Sequence, residues 1–209
     1  MVAKDSLKEK YIIYLLKELQ LKKMYLQNIN TIYIGGGTPS SLPLNLLDLF
    51  LKSLSKDIDL SKISEFSIEL NPLDVTEELC ILLKKYHINR ISLGIQSFNN
   101  HKLRFLGRDH HKKDAILAVK LLQKHGFTNI NIDLIYAIPK DNFIKIKKDL
   151  KIATKLNISH LSTYSLIVEE KTMLYNLYQK SIYKPIPEEK EYNIYMKIIA
   201  FLKKQLFIM

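Results

Sequence analysis

Glycines and polar residues end four successive predicted strands of this chain. Gly35-Gly36-Gly37 follows the first strand, and Glu69, Gln96 and Asp133 lie at the ends of the next three. A group of unpaired acids would be costly to bury unless a ligand or a basic partner compensates it. Three consecutive glycines let the backbone approach a ligand closely and offer its amides and carbonyls. In combination, these residues predict a ligand-binding site.

Each of these residues also has a purely structural interpretation. A tight turn explains a glycine run, Glu69 shares a strand face with Ser67 and could point outward, and Asp133 could form a turn. We favour the ligand site because four such strand ends occur in succession, and the carboxyl ends of parallel strands in a barrel meet at one mouth. We expect Glu69, Gln96 and Asp133 to converge there.

The elements that position these residues alternate between strand and helix. Strands are predicted at 31–34, 65–70, 90–95, 130–135 and 159–166. Helices are predicted at 6–26, 43–55, 74–86, 111–125, 142–156 and 188–206, with an irregular surface connection at 169–187. Such alternation indicates an α/β fold with parallel strands and helices outside.

The predicted architecture is a partial barrel. It consists of an open, curved sheet of five parallel strands in chain order, within one domain spanning residues 1–209. The opening helix has no strand before it, so we expect the first barrel strand to be missing. The strand at 31–34 should then be an exposed edge, which is an aggregation liability.

Four segments carry a resemblance to a known family. They are Tyr33–Ser40, Ser92–Phe98, Leu106–His110 and Asn131–Tyr136. In wording, order and spacing they are similar to the motifs of the oxygen-independent coproporphyrinogen III oxidase family of radical S-adenosylmethionine (SAM) proteins, and in particular to its haem-chaperone (HemW) branch. The resemblance runs from about residue 8 to about residue 175 and implies a partial (β/α)6-type open barrel.

The resemblance implies a SAM site. Its expected members are Gly36, Gly37, Thr38, Glu69, Gln96, Arg108 and Asp133. The glycines and Thr38 would hold the methionine end through backbone atoms, and Glu69 would accept from the ammonium. The guanidinium fork of Arg108 suits the methionine carboxylate, although an exposed salt bridge is the alternative for that residue. Gln96 and Asp133 would bond ribose hydroxyls or the remaining polar atoms of the methionine.

The chain departs from the family at the iron–sulfur cluster. The family's CxxxCxxC loop supplies three thiolates to a [4Fe–4S] cluster, whereas this chain contains one cysteine, Cys80. Cys80 falls in a helical pattern and is expected to be a small buried hydrophobe. The cluster is therefore expected of the family but not supported by this chain, and we expect a truncated product without catalytic activity.

The resemblance implies a haem chaperone that binds haem and passes it to an unidentified acceptor protein. Histidine is a common haem ligand, and His110 is the candidate because it belongs to a motif near the mouth. The alternative for His110 is a hydrogen bond to backbone. Two rival functions are a radical SAM oxidoreductase acting on a porphyrinogen and a degenerate domain that binds neither cluster nor SAM.

Composition restricts the partners and the location. The net charge is +11, but the lysines are scattered along predicted helices, which favours a solvated basic surface over a nucleic-acid site. No run of about 18 apolar residues indicates a transmembrane helix, and the charged first ten residues lack the apolar stretch of a signal peptide. We expect a cytoplasmic protein.

Overall fold

The computed structural model describes residues 5–205. The helices are α1 (Asp5–Leu21), α2 (Leu44–Leu54), α3 (Glu77–Lys85), α4 (Asn100–Phe105), α5 (Lys112–Lys124), α6 (Phe143–Ala153), α7 (Met173–Gln179) and α8 (Glu188–Lys203). The strands are β1 (Thr31–Ile34), β2 (Glu65–Leu70), β3 (Arg90–Gln96), β4 (Asn129–Tyr136) and β5 (His160–Ser165). Short 3₁₀ turns lie at Lys23–Leu26, Pro39–Ser41, Leu60–Lys62 and Pro72–Asp74.

The five strands form one sheet in the order β1-β2-β3-β4-β5. The pairs β1–β2, β2–β3 and β4–β5 are parallel. This confirms the predicted strand positions, the parallel pairing and the spatial order. Within the described residues β1 ends the sheet, and its Tyr33 side chain is 58% exposed, so the edge expected at this strand is present.

Two compact units divide the chain. The first comprises residues 1–94 and 117–130, and the second comprises residues 95–116 and 131–209. A single domain spanning the whole chain stays a prediction. Among the described residues, none of the helices combines the length and the apolar character needed to cross a membrane.

The strands of the first unit carry large apolar side chains on one face. Alternate residues point to opposite faces of a strand, and the alternates Phe66, Ile68, Ile91 and Leu93 are fully buried. The other face carries polar side chains, among them Ser67, which accepts a hydrogen bond from Arg90 Nη1 at 3.3 Å. Helices α2 and α3 contribute further buried residues: Leu47, Leu51, Leu79, Cys80 and Leu83. The burial of Cys80 confirms the sequence prediction.

The second unit packs β4 with α6 and α8. Ile132 and Leu134 of β4 are buried. Buried apolar residues of the two helices complete this core: Ile146, Leu150, Ile194 and Ile198. The rings of Tyr136 at the end of β4 and Tyr195 of α8 stack with centroids 6.4 Å apart.

Side-chain caps explain several helix boundaries. The Thr76 hydroxyl accepts from the Leu79 amide at 3.2 Å, and α3 begins at the next residue. Asn142 caps α6 in the same way, and Gly126, with φ of +80°, ends the segment of α5. Such caps satisfy amides that have no partner within the helix.

Two short helices were not predicted. Helix α4 follows the Asn99 cap, and α7 follows the Thr172 cap inside the segment that was expected to be irregular. The prediction of an irregular 169–187 connection is wrong over Met173–Gln179. Helices of six and seven residues present barely two turns, so hydrophobic periodicity is too short to detect them.

Candidate functional site

The glycine turn after β1 is fastened to Glu69 of β2. The Gly36 amide donates to Glu69 Oε2 at 3.1 Å, and the Tyr33 hydroxyl hydrogen-bonds to Glu69 Oε1. Gly36 and Gly37 have φ of +83° and +66°, a region that L residues with a side chain rarely adopt. The structure thus brings together, within the first unit, two residue sets that the sequence singled out separately.

The glycines of this turn have different steric roles. A Cβ on Gly35 would collide with the Tyr33 ring and lie 3.0 Å from Glu69 Oε1. A side chain at this position would therefore require both Tyr33 and Glu69 to move. A Cβ on Gly36 or Gly37 would meet nothing within 4 Å. The space at the Cβ position of both glycines is therefore open, and a ligand can approach the backbone closely there.

Contacts on the far side of the turn hold it in place. The Thr38 hydroxyl donates to the Gly37 carbonyl at 2.7 Å. Ser40 then donates to Asp74 Oδ2 at 2.6 Å and accepts from the Asn71 amide at 2.9 Å. Sequence reasoning missed Ser40 and Asp74, because their contact spans 34 residues and no local pattern signals it.

Gln96 occupies a strained turn at the end of β3 in the second unit. Its φ is +67°, and the Ser97 amide donates to the Ile95 carbonyl at 2.8 Å. A bond from one residue to the second before it, with positive φ at the residue between, is a γ-turn of the rare and strained kind. The Gln96 side chain is buried, and its Oε1 accepts from the Tyr164 hydroxyl at 2.9 Å.

Asp133 belongs to a hydrogen-bonded row across β4 and β5. Its Oδ1 accepts from Asn131 Nδ2 at 2.8 Å. Asn131 Oδ1 in turn contacts His160 Nδ1 at 2.6 Å and accepts from the Ser162 hydroxyl at 3.1 Å. Asp133 lies opposite Ser162 in the parallel register. The aspartate is therefore a half-buried strand residue on a polar face.

The end of helix α4 determines the position of Arg108. Gly107, with φ of +65°, donates to the Arg104 carbonyl, and the Arg108 amide donates to Leu103 at 2.9 Å. This pair of bonds is the Schellman ending of a helix. Among the residues that the structure describes, Arg108 Nε is buried and finds no hydrogen-bond partner. A buried guanidinium nitrogen without a partner is costly, and an anionic ligand such as a carboxylate would satisfy it.

His110 is buried against backbone. Its side chain is 1% exposed, and Nε2 lies 2.9 Å from the Ile95 carbonyl. A carbonyl only accepts, so we assign the proton to Nε2. Burial lowers the pKa of His110, which keeps the ring neutral. This is the backbone-bonded alternative considered for His110. Ligation of haem stays a prediction, and it would require the ring to leave this bond.

The residues of the described chain do not fit a [4Fe–4S] cluster. Cys80 is the only cysteine in the sequence, and its side chain is fully buried on α3. Burial raises the pKa of its thiol to about 11, whereas cluster ligands are thiolates. Over residues 5–205, no group of three or more His, Cys, Asp or Glu side chains is placed to hold a metal ion.

Comparison with protein families identifies the fold's relationship. The model of the radical SAM superfamily matches residues 5–153. This chain belongs to the radical SAM superfamily. The Gly35-Gly36-Gly37 turn, Glu69, Gln96, Arg108 and Asp133 all lie within the matched residues.

Curated relatives carry a more specific name. The chain is 38% identical over 194 residues to the haem chaperone HemW of Lactococcus lactis, covering 93% of this chain and 51% of that protein. It is 37% identical over 177 residues to the haem chaperone HemW of Bacillus subtilis, covering 83% and 46%. The chain thus spans about half the length of the curated relatives it matches.

Two solved structures share the fold. Coproporphyrinogen III oxidase (HemN) from Escherichia coli superposes with a TM-score of 0.84 at 24% identity, covering 98% of this chain and 47% of that one. Elp3 from Methanocaldococcus infernus gives a TM-score of 0.68 at 22% identity, covering 90% and 50%. At these identities the likeness concerns the fold alone.

Proposed function

We propose that this chain binds haem and passes it to an acceptor protein, and that it also binds SAM. The observation that carries the haem proposal is the 38% identity, over 93% of the chain, to a protein named a haem chaperone. The location that this implies is the cytoplasm.

The SAM proposal rests first on the glycine turn and Glu69. The Glu69 carboxylate can accept a hydrogen bond from the ammonium group of SAM. It already accepts one from the Gly36 amide at 3.1 Å. The space at the Cβ position of Gly36 and Gly37 is open. Thr38, which fixes the Gly37 carbonyl, would hold the shape of the turn around the methionine end of the ligand.

Arg108, Gln96 and Asp133 are the remaining proposed SAM contacts. Within residues 5–205, Arg108 Nε is buried without a hydrogen-bond partner, and we assign it to the methionine carboxylate. Gln96 and Asp133 carry oxygen atoms that suit ribose hydroxyls. SAM supplies a sulfonium centre when bound. Because the residues do not fit an iron–sulfur cluster, the proposed role of this chain is binding and orienting, without reductive cleavage.

Replacing Glu69 tests the SAM site. We expect Glu69→Gln to weaken SAM binding at least ~10-fold in calorimetric titration, because a hydrogen bond to a charged group contributes about 1.5–3 kcal/mol. Glu65→Gln is the matched control, since Glu65 lies on the same strand and pairs with Arg90. It should change the affinity less than ~2-fold. Equal losses in both variants would reject Glu69 as a SAM contact.

Haem titration tests the chaperone proposal. We expect a saturable Soret band on adding haem to the protein, and loss of that band when an apo-globin is added as haem acceptor. No band would favour a domain that binds no haem. If His110 stays bonded to the Ile95 carbonyl when the parent chain binds haem, the His110→Ala variant should keep the Soret band. A lost or shifted band in the variant would identify His110 as the axial ligand.

A further inference from the structure

We infer that Asp149 and His110 are positioning residues that hold the strained turn of Gln96 and so present the Gln96 side chain to SAM. The inference rests on the proposed SAM site. Neither residue is expected to touch the ligand. All the contacts that carry the inference lie within the second unit.

The turn needs an external hold. Gln96 has a φ of +67°, and a residue other than glycine in a strained conformation carries a cost of order 1–3 kcal/mol that the surroundings must offset. The hydrogen bond of 2.8 Å from the Ser97 amide to the Ile95 carbonyl closes the turn, but it belongs to the same strained conformation. Strained residues of this kind concentrate at functional sites, where the conformation has a purpose.

Asp149 accepts two hydrogen bonds from the chain directly after the strained residue, and these two bonds are its grip on the turn. Its Oδ2 accepts from the Ser97 hydroxyl at 2.7 Å, and its Oδ1 accepts from the Phe98 amide at 3.0 Å. Ser97 Oγ also accepts the Asn99 amide at 3.0 Å, which links the grip to the beginning of α4. Asp149 lies 52 residues away from Ser97 on α6, and both side chains are buried.

A buried lysine lies beside Asp149. Lys102 Nζ lies 3.5 Å from Asp149 Oδ2 and 3.0 Å from both carboxylate oxygens of Asp141. All three side chains are buried. A buried charge without a partner is costly, and Lys102 and Asp149 lie within ion-pair distance of each other. Burial raises the pKa of Asp141. This residue is the second acidic neighbour of the Lys102 ammonium group.

His110 holds the chain directly before Gln96. Its Nε2 donates to the same Ile95 carbonyl that accepts the Ser97 amide, at 2.9 Å. The Tyr164 hydroxyl then fixes the Gln96 side chain itself, through Oε1 at 2.9 Å. The turn is therefore held before, after and at its central residue.

The test is a double-mutant comparison of SAM affinity by calorimetry. Asp149→Asn should weaken SAM binding ~10-fold in the parent chain. It should weaken binding less than ~2-fold in a Gln96→Ala background, where there is no side chain left to position. Asp48→Asn is the matched control, since Asp48 also accepts from a lysine and a hydroxyl, those of Lys85 and Tyr86. It should leave the affinity unchanged.

Equal losses from Asp149→Asn in both backgrounds would overturn the inference, because they would indicate general destabilisation. Should Asp149→Asn fail to fold, Ser97→Ala removes one of the two bonds and should give a ~3-fold loss with the same dependence on Gln96. His110→Ala in the two backgrounds should follow the same pattern. A His110→Ala loss that persists without Gln96 would overturn its positioning role.

Amide exchange separates this inference from the SAM proposal. The Phe98 amide should exchange slowly in the parent and at least ~10-fold faster in Asp149→Asn, while the Leu93 amide of β3 keeps its rate. An unchanged Phe98 rate would overturn the grip by Asp149 whatever the ligand. A parent chain that shows this exchange pattern but binds no SAM would overturn the proposed site and leave the grip on the turn intact.

Discussion

At the scale of single residues, burial decides which titratable groups can act. His110 is bonded to Ile95, and burial lowers its pKa. Cys80 is buried, and its pKa is raised to about 11. In both cases desolvation disfavours the charged form, which is the imidazolium of one and the thiolate of the other. These two residues are therefore neutral parts of the structure at neutral pH.

The neutral state of His110 makes stability depend on pH. Its pKa is lower in the folded chain than the ordinary value near 6.5, so below about pH 6.5 the unfolded state binds more protons. The free energy of unfolding should therefore fall as the pH drops below about 6.5. His110→Gln keeps a hydrogen-bond donor for the Ile95 carbonyl but does not titrate. The free energy of unfolding of this variant, measured by denaturation, should fall less steeply between pH 7 and pH 5.

The control for this prediction is His101→Gln, a replacement of an exposed histidine, which should keep the parent's pH dependence. The charged and titratable neighbours of His110, which are Arg108, His111 and Asp114, remain in both variants. So does Asp141, whose raised pKa acts in the opposite direction. If the His110 and His101 variants gave the same slope, His110 would not be the group responsible.

At the scale of elements, side-chain caps and glycines determine where each segment ends, and strand ends carry the candidate site. The Thr76 cap begins α3, and α3 carries Leu79, Cys80 and Leu83 into the core of the first unit. Gly107 ends α4 in the same decisive way and directs the chain to Arg108. Local capping thus links the sequence to packing in one case and to the site in the other.

Removing the α3 cap should destabilise the fold without touching the site. Thr76→Ala leaves the Leu79 amide without its partner and should lower the free energy of unfolding by about 1 kcal/mol. For a chain of this size that corresponds to a fall in Tm of about 2–4 °C. Thr128→Ala, at an exposed loop position, should leave the Tm unchanged. Equal shifts would show that the cap contributes nothing specific.

At the scale of the whole molecule, the chain combines the radical SAM fold with a single cysteine. The superfamily match covers residues 5–153, and the sheet has five parallel strands in chain order. Its one cysteine cannot supply the set of thiolates that holds an iron–sulfur cluster. Its own residues supply, in our proposal, binding surfaces for SAM and haem.

Anaerobic reconstitution tests this reading of the molecule. Incubated with iron and sulfide, the purified 209-residue chain should develop no stable sulfide-to-iron charge-transfer absorption and should not cleave SAM. Three thiolates are required, and the one thiol present is buried with a raised pKa. Cys80→Ala should behave like the parent in this assay. One cluster per chain would contradict the prediction and reveal ligands of another kind.

The local sequence determined the strands, most helices and the residue types of the site. Alternating apolar residues predicted β2 and β3 because one strand face must be buried. The glycine run and Glu69 were identified because parallel strands bring their carboxyl ends to one side. Even the contact between the Gly36 amide and Glu69 follows from the neighbouring positions of β1 and β2.

Only the tertiary structure decided how Gln96 is held. Asp149 lies in the lysine-rich helix α6, and no sequence motif singled it out. The fold buries it against Ser97, 52 residues away, and beside Lys102. His110 likewise reaches a backbone carbonyl 15 residues away. Local propensity contains no information on contacts between distant side chains and backbone, because packing in three dimensions alone determines which of them meet.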